Sequence, residues 1–191
     1  MLEFNAGKHE YTWDGKKVPC VSNIIAPLYD FSNIPPQVLE TKKEWGTAVH
    51  LYLEMNDRGT LDPDKSKWDD RMIPIVDAWN RFKSQYNLGG ECEIEAPKYN
   101  ELMRYAGTPD RIYTVQATIV DIKTSAPNKT AGVQLAAYNK LILAENTPIY
   151  RLIACFLTDD GSYKVKEYNF KENWNIFMCC YSIYQFKHGG K

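Results

Sequence analysis

Apolar and polar positions divide the chain into a few distinct elements. Thr118-Ile119-Val120 before Asp121 reads as a buried strand that continues to Thr124. Alternation places Asp121 and Lys123 on one face and Val120, Ile122 and Thr124 on the other, toward a core. Upstream, Tyr11-Thr12-Trp13 and Lys16-Lys17-Val18 flank Asp14-Gly15, a two-residue hairpin signal. Ser22 is placed to cap a short helix, and Ser32 to Pro36 reads as a connection. Val49 and Leu53 share a stripe that predicts a helix over Glu44–Glu54. Trp68, Met72, Ile75, Val76, Trp79 and Phe82 predict another within Lys67–Tyr86, which Pro74 should kink or break. Strands are expected between Glu91 and Lys123, then a helix over Ala131–Leu141. Ile149–Leu157 and Tyr163–Phe170 form a further hairpin through Asp159-Asp160-Gly161. Trp174, Phe177, Met178, Tyr181 and Tyr184 recur at helical spacing and read as a core-facing stripe rather than a base-stacking platform. The sum is an α/β fold, a central mixed sheet flanked by helices. The 191 residues suit one domain with a full core.

Composition narrows the setting. A net charge of −1 does not advertise a nucleic-acid binder, although Lys42, Lys43, Arg111, Lys129 and Lys140 could form a locally basic rim. Five cysteines, an odd number, show no paired metal spacing, and Cys179-Cys180 would make only a strained bridge. Reduced thiols in a cytoplasmic compartment are expected. No signal peptide and no apolar run long enough to cross a bilayer is evident, so no membrane association is expected.

The candidate chemistry lies in Tyr105-Ala106-Gly107-Thr108-Pro109-Asp110 and Val120-Asp121-Ile122-Lys123-Thr124. Opposed residues of an antiparallel hairpin have a constant sum of indices, and a loop centred on Val115 and Gln116 sets Asp110 opposite Asp121. Their Cβ atoms would then be about 4.5–5.5 Å apart, which destabilises like charges unless something neutralises them. Magnesium or manganese, which prefer hard oxygen ligands and an open sphere, is the natural neutraliser. Lys123 could orient or deprotonate an attacking water, or stabilise charge that builds up during phosphodiester cleavage. An ordinary solvated face with cross-strand ion pairs is the competing reading. Pro109, which lacks an N–H, marks an edge or bulge, a feature often found beside active sites.

Two helices add candidates. Gly46, His50 and Glu54 form a stripe at four-residue spacing, and a glycine there suggests close approach of a backbone or ligand. Gln134 and Tyr138 share a face and can donate to a phosphate oxygen or a metal-bound water.

In order, a Gly-x-x-x-His-x-x-x-Glu helix (Gly46–Glu54), a Gly-x-x-Asp strand (Gly107–Asp110), an Asp-x-Lys-Thr strand (Asp121–Thr124) and a Gln-x-x-x-Tyr helix (Gln134–Tyr138) resemble the RecB-like branch of the PD-(D/E)XK nuclease superfamily. His9–Ile25 is more loosely similar to the amino-terminal block of its phage-type exonucleases. This chain departs from the family at two positions: Cys20 stands where serine is common, and Trp45 stands where arginine often precedes the glycine, here Gly46. The resemblance implies a restriction-endonuclease-like core and a Mg²⁺- or Mn²⁺-dependent DNA exonuclease acting in phage recombination or replication in the host cytoplasm. It implies His50, Asp110, Asp121 and the main-chain carbonyl of Ile122 as metal ligands, Lys123 as the catalytic lysine and Glu54 as an auxiliary acid. Gln134, Tyr138 and Thr124 would contact phosphate or DNA, and Glu95 would support the site from behind. The plainer reading of Glu91, Glu93 and Glu95 is the polar face of a half-exposed strand.

DNA is the expected partner; a homo-oligomer and a single-strand annealing or recombination protein are compatible with the resemblance. An endonuclease on the same core, a DNA-binding protein without turnover and a hydrolase of small phosphate esters remain open as alternatives.

Overall fold

The computed structural model describes residues 1–142 and 150–189. A small antiparallel sheet opens the chain, with β1 (Leu2–Asn5), β2 (Glu10–Trp13) and β3 (Lys16–Val18) in sequence order. Trp13 pairs with Lys16 across Asp14 and Gly15, both at positive φ, as a tight hairpin turn requires. The helix that follows, α1 (Val21–Ile25), is headed by Cys20 rather than by Ser22. The Cys20 amide donates to Asn23 Oδ1 at 3.3 Å, so the side chain three residues on supplies the cap and Ser22 lies inside the first turn.

After a 3-10 turn over Ala26–Leu28 the chain enters α2 (Pro36–Asp57), twice the length its apolar stripe predicts. Pro36 sits at the first helical position, where its missing N–H costs nothing. The next helix, α3 (Met72–Gln85), begins five residues later than expected, with Trp68 outside it. Pro74 falls in the first turn, where a proline is tolerated, so neither kink nor break occurs.

From one edge to the other, the central sheet runs Tyr163–Tyr168, Arg151–Leu157, Thr118–Lys123, Arg111–Tyr113 and Glu93–Ile94. Its strands are β4 (Glu93–Ile94), β7 (Arg111–Tyr113), β8 (Thr118–Lys123), β9 (Arg151–Leu157) and β10 (Tyr163–Tyr168), while β5 (Lys98–Asn100) and β6 (Tyr105–Gly107) pair separately. Thus β6 and β7 are not one strand: Thr108-Pro109-Asp110 separates them, because Pro109 has no N–H to offer a ladder. The sheet is mixed. β8 and β9 run parallel around the intervening helix α4 (Thr130–Ile142), and the other pairs are antiparallel. Ile149, the expected start of β9, lies outside the described residues. The last helix is α5 (Phe170–His188).

Both faces of the sheet are covered, which explains the nearly continuous apolar run of β8. Val120, Ile122, Ile153 and Cys155 pack with Val49 and Leu53 of α2 and Trp79 and Phe82 of α3. Ile119, Leu152, Ala154 and Phe156 pack with Leu135 and Ala136 of α4. Phe177 and Cys180 of α5, with Trp174, Met178, Tyr181 and Tyr184 partly buried beside them, close a third cluster against α1 and α4, so the aromatic stripe is core, as its spacing predicts. All five cysteines are free, and no described helix is long and apolar enough to cross a membrane.

Candidate metal centre

The register of β7 with β8 follows the index rule: Arg111 faces Val120 and Tyr113 faces Thr118. One step beyond Arg111, Asp110 reaches across to β8, and its Oδ2 accepts the Ile122 amide hydrogen at 2.6 Å. From α2, His50 is held over the end of the sheet. Its Nε2 donates to the Ile122 carbonyl at 3.2 Å, while Nδ1 lies 3.3 Å from Glu95 Oε1 and 3.8 Å from Asp110 Oδ1. The Ile122 carbonyl, expected as a ligand, thus serves in this geometry as the acceptor that orients His50.

Glu95, expected only to support the site from behind, completes the group. One donor atom each from His50, Glu95 and Asp110 lies within 4.8 Å of the other two. Glu95 follows β4 directly and has a φ of 47°, a left-handed conformation that costs a non-glycine residue of order 1 kcal/mol or more. Its amide donates to the Asp110 carbonyl at 3.1 Å, which fixes the two acids relative to each other.

Asp121 stands beside this triangle. It is 0 % exposed and pairs with Lys123, whose Nζ lies 2.9 Å from Oδ1 and 2.8 Å from Oδ2. Oδ2 nevertheless has no hydrogen bond of acceptable direction. Lys123 Nζ also donates to Gln134 Oε1 at 3.0 Å, and Gln134 Nε2 donates to the Tyr138 hydroxyl at 2.8 Å. Tyr138 comes this close to β6 because residue 107 is glycine: a methyl there would meet Tyr138 Cε1 at 2.8 Å. Gly46 differs. A methyl would meet only Thr124 Oγ1, at an ordinary 3.6 Å, so packing within the chain does not account for the glycine. Thr124 itself lies beyond β8, half-buried, rather than in the core.

Burial pushes the Asp121 carboxyl up to about 6, with Asp110 adding to the effect and Lys123 opposing it. Asp110 is raised chiefly by burial as well. For His50, burial opposes the imidazolium, but Asp110 and then Glu95 outweigh it and bring the ring up to about 9. Lys123 loses stability as a cation through burial, yet Asp121 and Asp110 more than restore it and raise it above its ordinary value. These directions have a common origin, an excess of acid in a place poor in water. Two carboxylates and an imidazole in one triangle, with a third buried carboxylate that has an unsatisfied oxygen, form a donor set suited to a hard divalent cation.

No protein-family model and no curated protein matches the chain. The geometry therefore carries the reading.

Glu54 lies one turn past His50 but turns away to Arg58 at 2.8 Å, and Arg58 in turn donates to the Ile94 carbonyl. Arg111 is not on any basic rim: it is 0 % exposed. Its Nε donates to Asp57 Oδ2 at 2.7 Å, its Nη1 donates to the Asp110 carbonyl at 2.7 Å, and that same nitrogen lies 3.5 Å from Glu95. Trp79 and Lys83 also donate to Asp57. Lys42, Lys43, Lys129 and Lys140 are exposed. Strand alternation held the clue for Arg111, since its neighbour Asp110 faces the site and the next side chain must point to the opposite face. Asp57 is seven residues after His50, two helical turns along the same stripe.

Proposed function

We propose that the chain is a Mg²⁺- or Mn²⁺-dependent DNA exonuclease of the RecB-like type, built on a restriction-endonuclease-like core. The observation that carries this is the convergence of His50, Glu95, Asp110 and Asp121 with Lys123 at one end of a mixed sheet, in the order the resemblance requires. The mixed sheet, with α4 between parallel strands and helices on both faces, is compatible with that core.

His50, Glu95, Asp110 and Asp121 would hold the cation, which when bound supplies positive charge to the scissile phosphate and lowers the pKa of a bound water. Lys123 is fixed between Asp121 and Gln134 and stays protonated there, so its part is to orient the phosphate and offset developing negative charge rather than to take a proton. Gln134 and Tyr138 keep that amine aimed, each locked by the next. Glu54, the expected auxiliary acid, is engaged by Arg58 at 2.8 Å and is left out of this ligand set.

The test is digestion of end-labelled linear DNA beside a covalently closed circle, with Mg²⁺ or Mn²⁺, and with Asp121→Ala in parallel. Loss of the linear form alone, absent in the variant, supports an exonuclease; nicking of the circle assigns an endonuclease instead. Binding of DNA with no metal-dependent product would leave a binding protein, and cleavage only of a chromogenic phosphodiester would leave a small-ester hydrolase.

A further inference from the structure

A cleft of about 300 Å³ opens beside the candidate metal centre, lined by Thr124, Ser125, Phe156, Asp159 and Lys164 among others. Sheet register fixes its place. Lys123 pairs with Phe156, and Phe156 pairs with Lys164, so these three side chains stand in one row on the α4 face of the sheet. Two strand spacings set the Lys164 backbone about 10 Å from that of Lys123. The row lies at the carboxyl ends of the parallel strands β8 and β9, the side on which open α/β sheets take their ligands.

Three groups around the cleft are unengaged. Lys164 is exposed and has no carboxylate partner among the described residues, whereas Lys166, two positions on, lies over the Tyr168 ring at 4.9 Å and lines a different cavity. Ser125 Oγ reaches only the Ala126 carbonyl, at 3.5 Å, too long for a strong bond. Thr124 Oγ1 makes no hydrogen bond among the described residues and faces Gly46 of α2, one helical turn before His50. Alanine is the better helix former, and its methyl would fit here at 3.6 Å, so the glycine keeps a gap between metal centre and cleft at a cost in stability. Lys164 and Asp159 are the charged groups of the lining, which suits a singly charged diester rather than a highly charged anion.

We propose that this cleft is a second phosphate subsite: a DNA strand whose scissile phosphate lies at the metal centre passes between Gly46 and Thr124, and Lys164 with Ser125 holds a further backbone phosphate. The inference rests on the nuclease reading above. Such a contact positions the strand without reading bases, and its charge appears in the salt dependence of binding.

The test is fluorescence anisotropy of a labelled duplex oligonucleotide over a series of KCl concentrations, with Ca²⁺ replacing Mg²⁺ to slow cleavage. Wild type, Lys164→Gln, Lys164→Arg, Lys166→Gln and Gly46→Ala are compared. Lys164→Gln is expected to weaken binding by about threefold or more and to reduce the slope of log affinity against log salt by about 0.9, while Lys164→Arg and Lys166→Gln keep the wild-type values. Gly46→Ala is expected to raise the denaturation midpoint and yet weaken DNA binding by about threefold or more. Mn²⁺ affinity equal to wild type in Lys164→Gln and Gly46→Ala ties both losses to the strand rather than to the cation. Equal affinity and slope in wild type and Lys164→Gln overturns the subsite and leaves the nuclease reading standing. So does an equal loss in Lys164→Gln and Lys166→Gln, which assigns the effect to net charge alone. Full DNA affinity in Gly46→Ala overturns the passage between Gly46 and Thr124. Binding of no DNA by the wild-type chain overturns the subsite together with the nuclease reading.

Discussion

Two buried charge clusters meet at Arg111, and they are built on opposite principles. Behind it, Asp57 takes hydrogen bonds from Trp79, Lys83 and Arg111, so one acid answers two cations and every oxygen is used. In front, Glu95, Asp110 and Asp121 outnumber Lys123, His50 is drawn toward a positive charge, and Asp121 Oδ2 is left without a hydrogen bond. The rear cluster has no acid to spare, because two cations share the one carboxylate of Asp57, and Arg111 Nη2 is left without a partner. The front cluster is open, with an excess of acid that a divalent cation would cancel. Arg111 joins them, using one nitrogen on Asp57 and another on the Asp110 carbonyl, close to Glu95. The two clusters thus differ in which sign is in excess, cation behind and acid in front, and only an excess of acid calls for a divalent cation.

Removing one acid from each cluster should have opposite effects. Asp121→Ala should lower DNA cleavage by at least about a hundredfold, read in single-turnover assays, while leaving the fold intact by circular dichroism. Asp57→Asn should do the reverse. It leaves half-buried Lys83 without its counter-charge and buried Arg111 with Glu95 alone at 3.5 Å, and chemical denaturation should show a loss of about 3–5 kcal/mol. If Asp57→Asn lowered cleavage at full stability, the rear cluster would not be merely structural.

Next in size is Glu95→Gln, expected to weaken Mn²⁺ binding by about ten- to a hundredfold in a titration. Glu54→Gln, which touches only the Arg58 pair, should change it by less than about twofold. Equal effects would return Glu54 to the site.

The two clusters should also respond to pH with opposite signs. Burial alone would raise Asp57, but Lys83 and Arg111 outweigh it and hold the folded carboxyl below its usual range. Its contribution is present above the unfolded value of about 3.9 and is lost as pH falls further. Asp121 and His50 are raised, to about 6 and about 9, so the folded state binds protons more tightly than the unfolded chain. Without metal, their contributions fall as pH rises from about 4 to 6 and from about 6.5 to 9. Saturating Mn²⁺, which replaces those protons, should flatten the alkaline decline in denaturation midpoints and leave the acid limb as it was.

What could be read from the sequence depended on the range over which each feature is determined. The β7–β8 register followed from local indices, and the placement of Asp110, Asp121 and Lys123 followed with it. Lys123 and Gln134 were legible because alternation and a four-residue helical spacing each fix a face. Pro74 misled because the same residue breaks a helix interior yet fits a first turn, and the position of that turn is set by packing of Met72 and Ile75 in the core. Arg111 and Asp57 are 54 positions apart in the chain, and no periodicity relates them. Glu95 was legible as an acid near a strand but not as a member of the triangle, since its left-handed backbone turns it out of the alternation on which the strand reading relied.

The most direct measurement is a titration of the wild-type chain and of Asp110→Asn with Mn²⁺, following free Mn²⁺ by electron paramagnetic resonance. An open acidic cluster requires saturable binding by the wild-type chain and affinity lower by about tenfold or more in the variant. Binding that does not saturate, or that is equal in the two, would contradict the reading of this cluster as a metal centre.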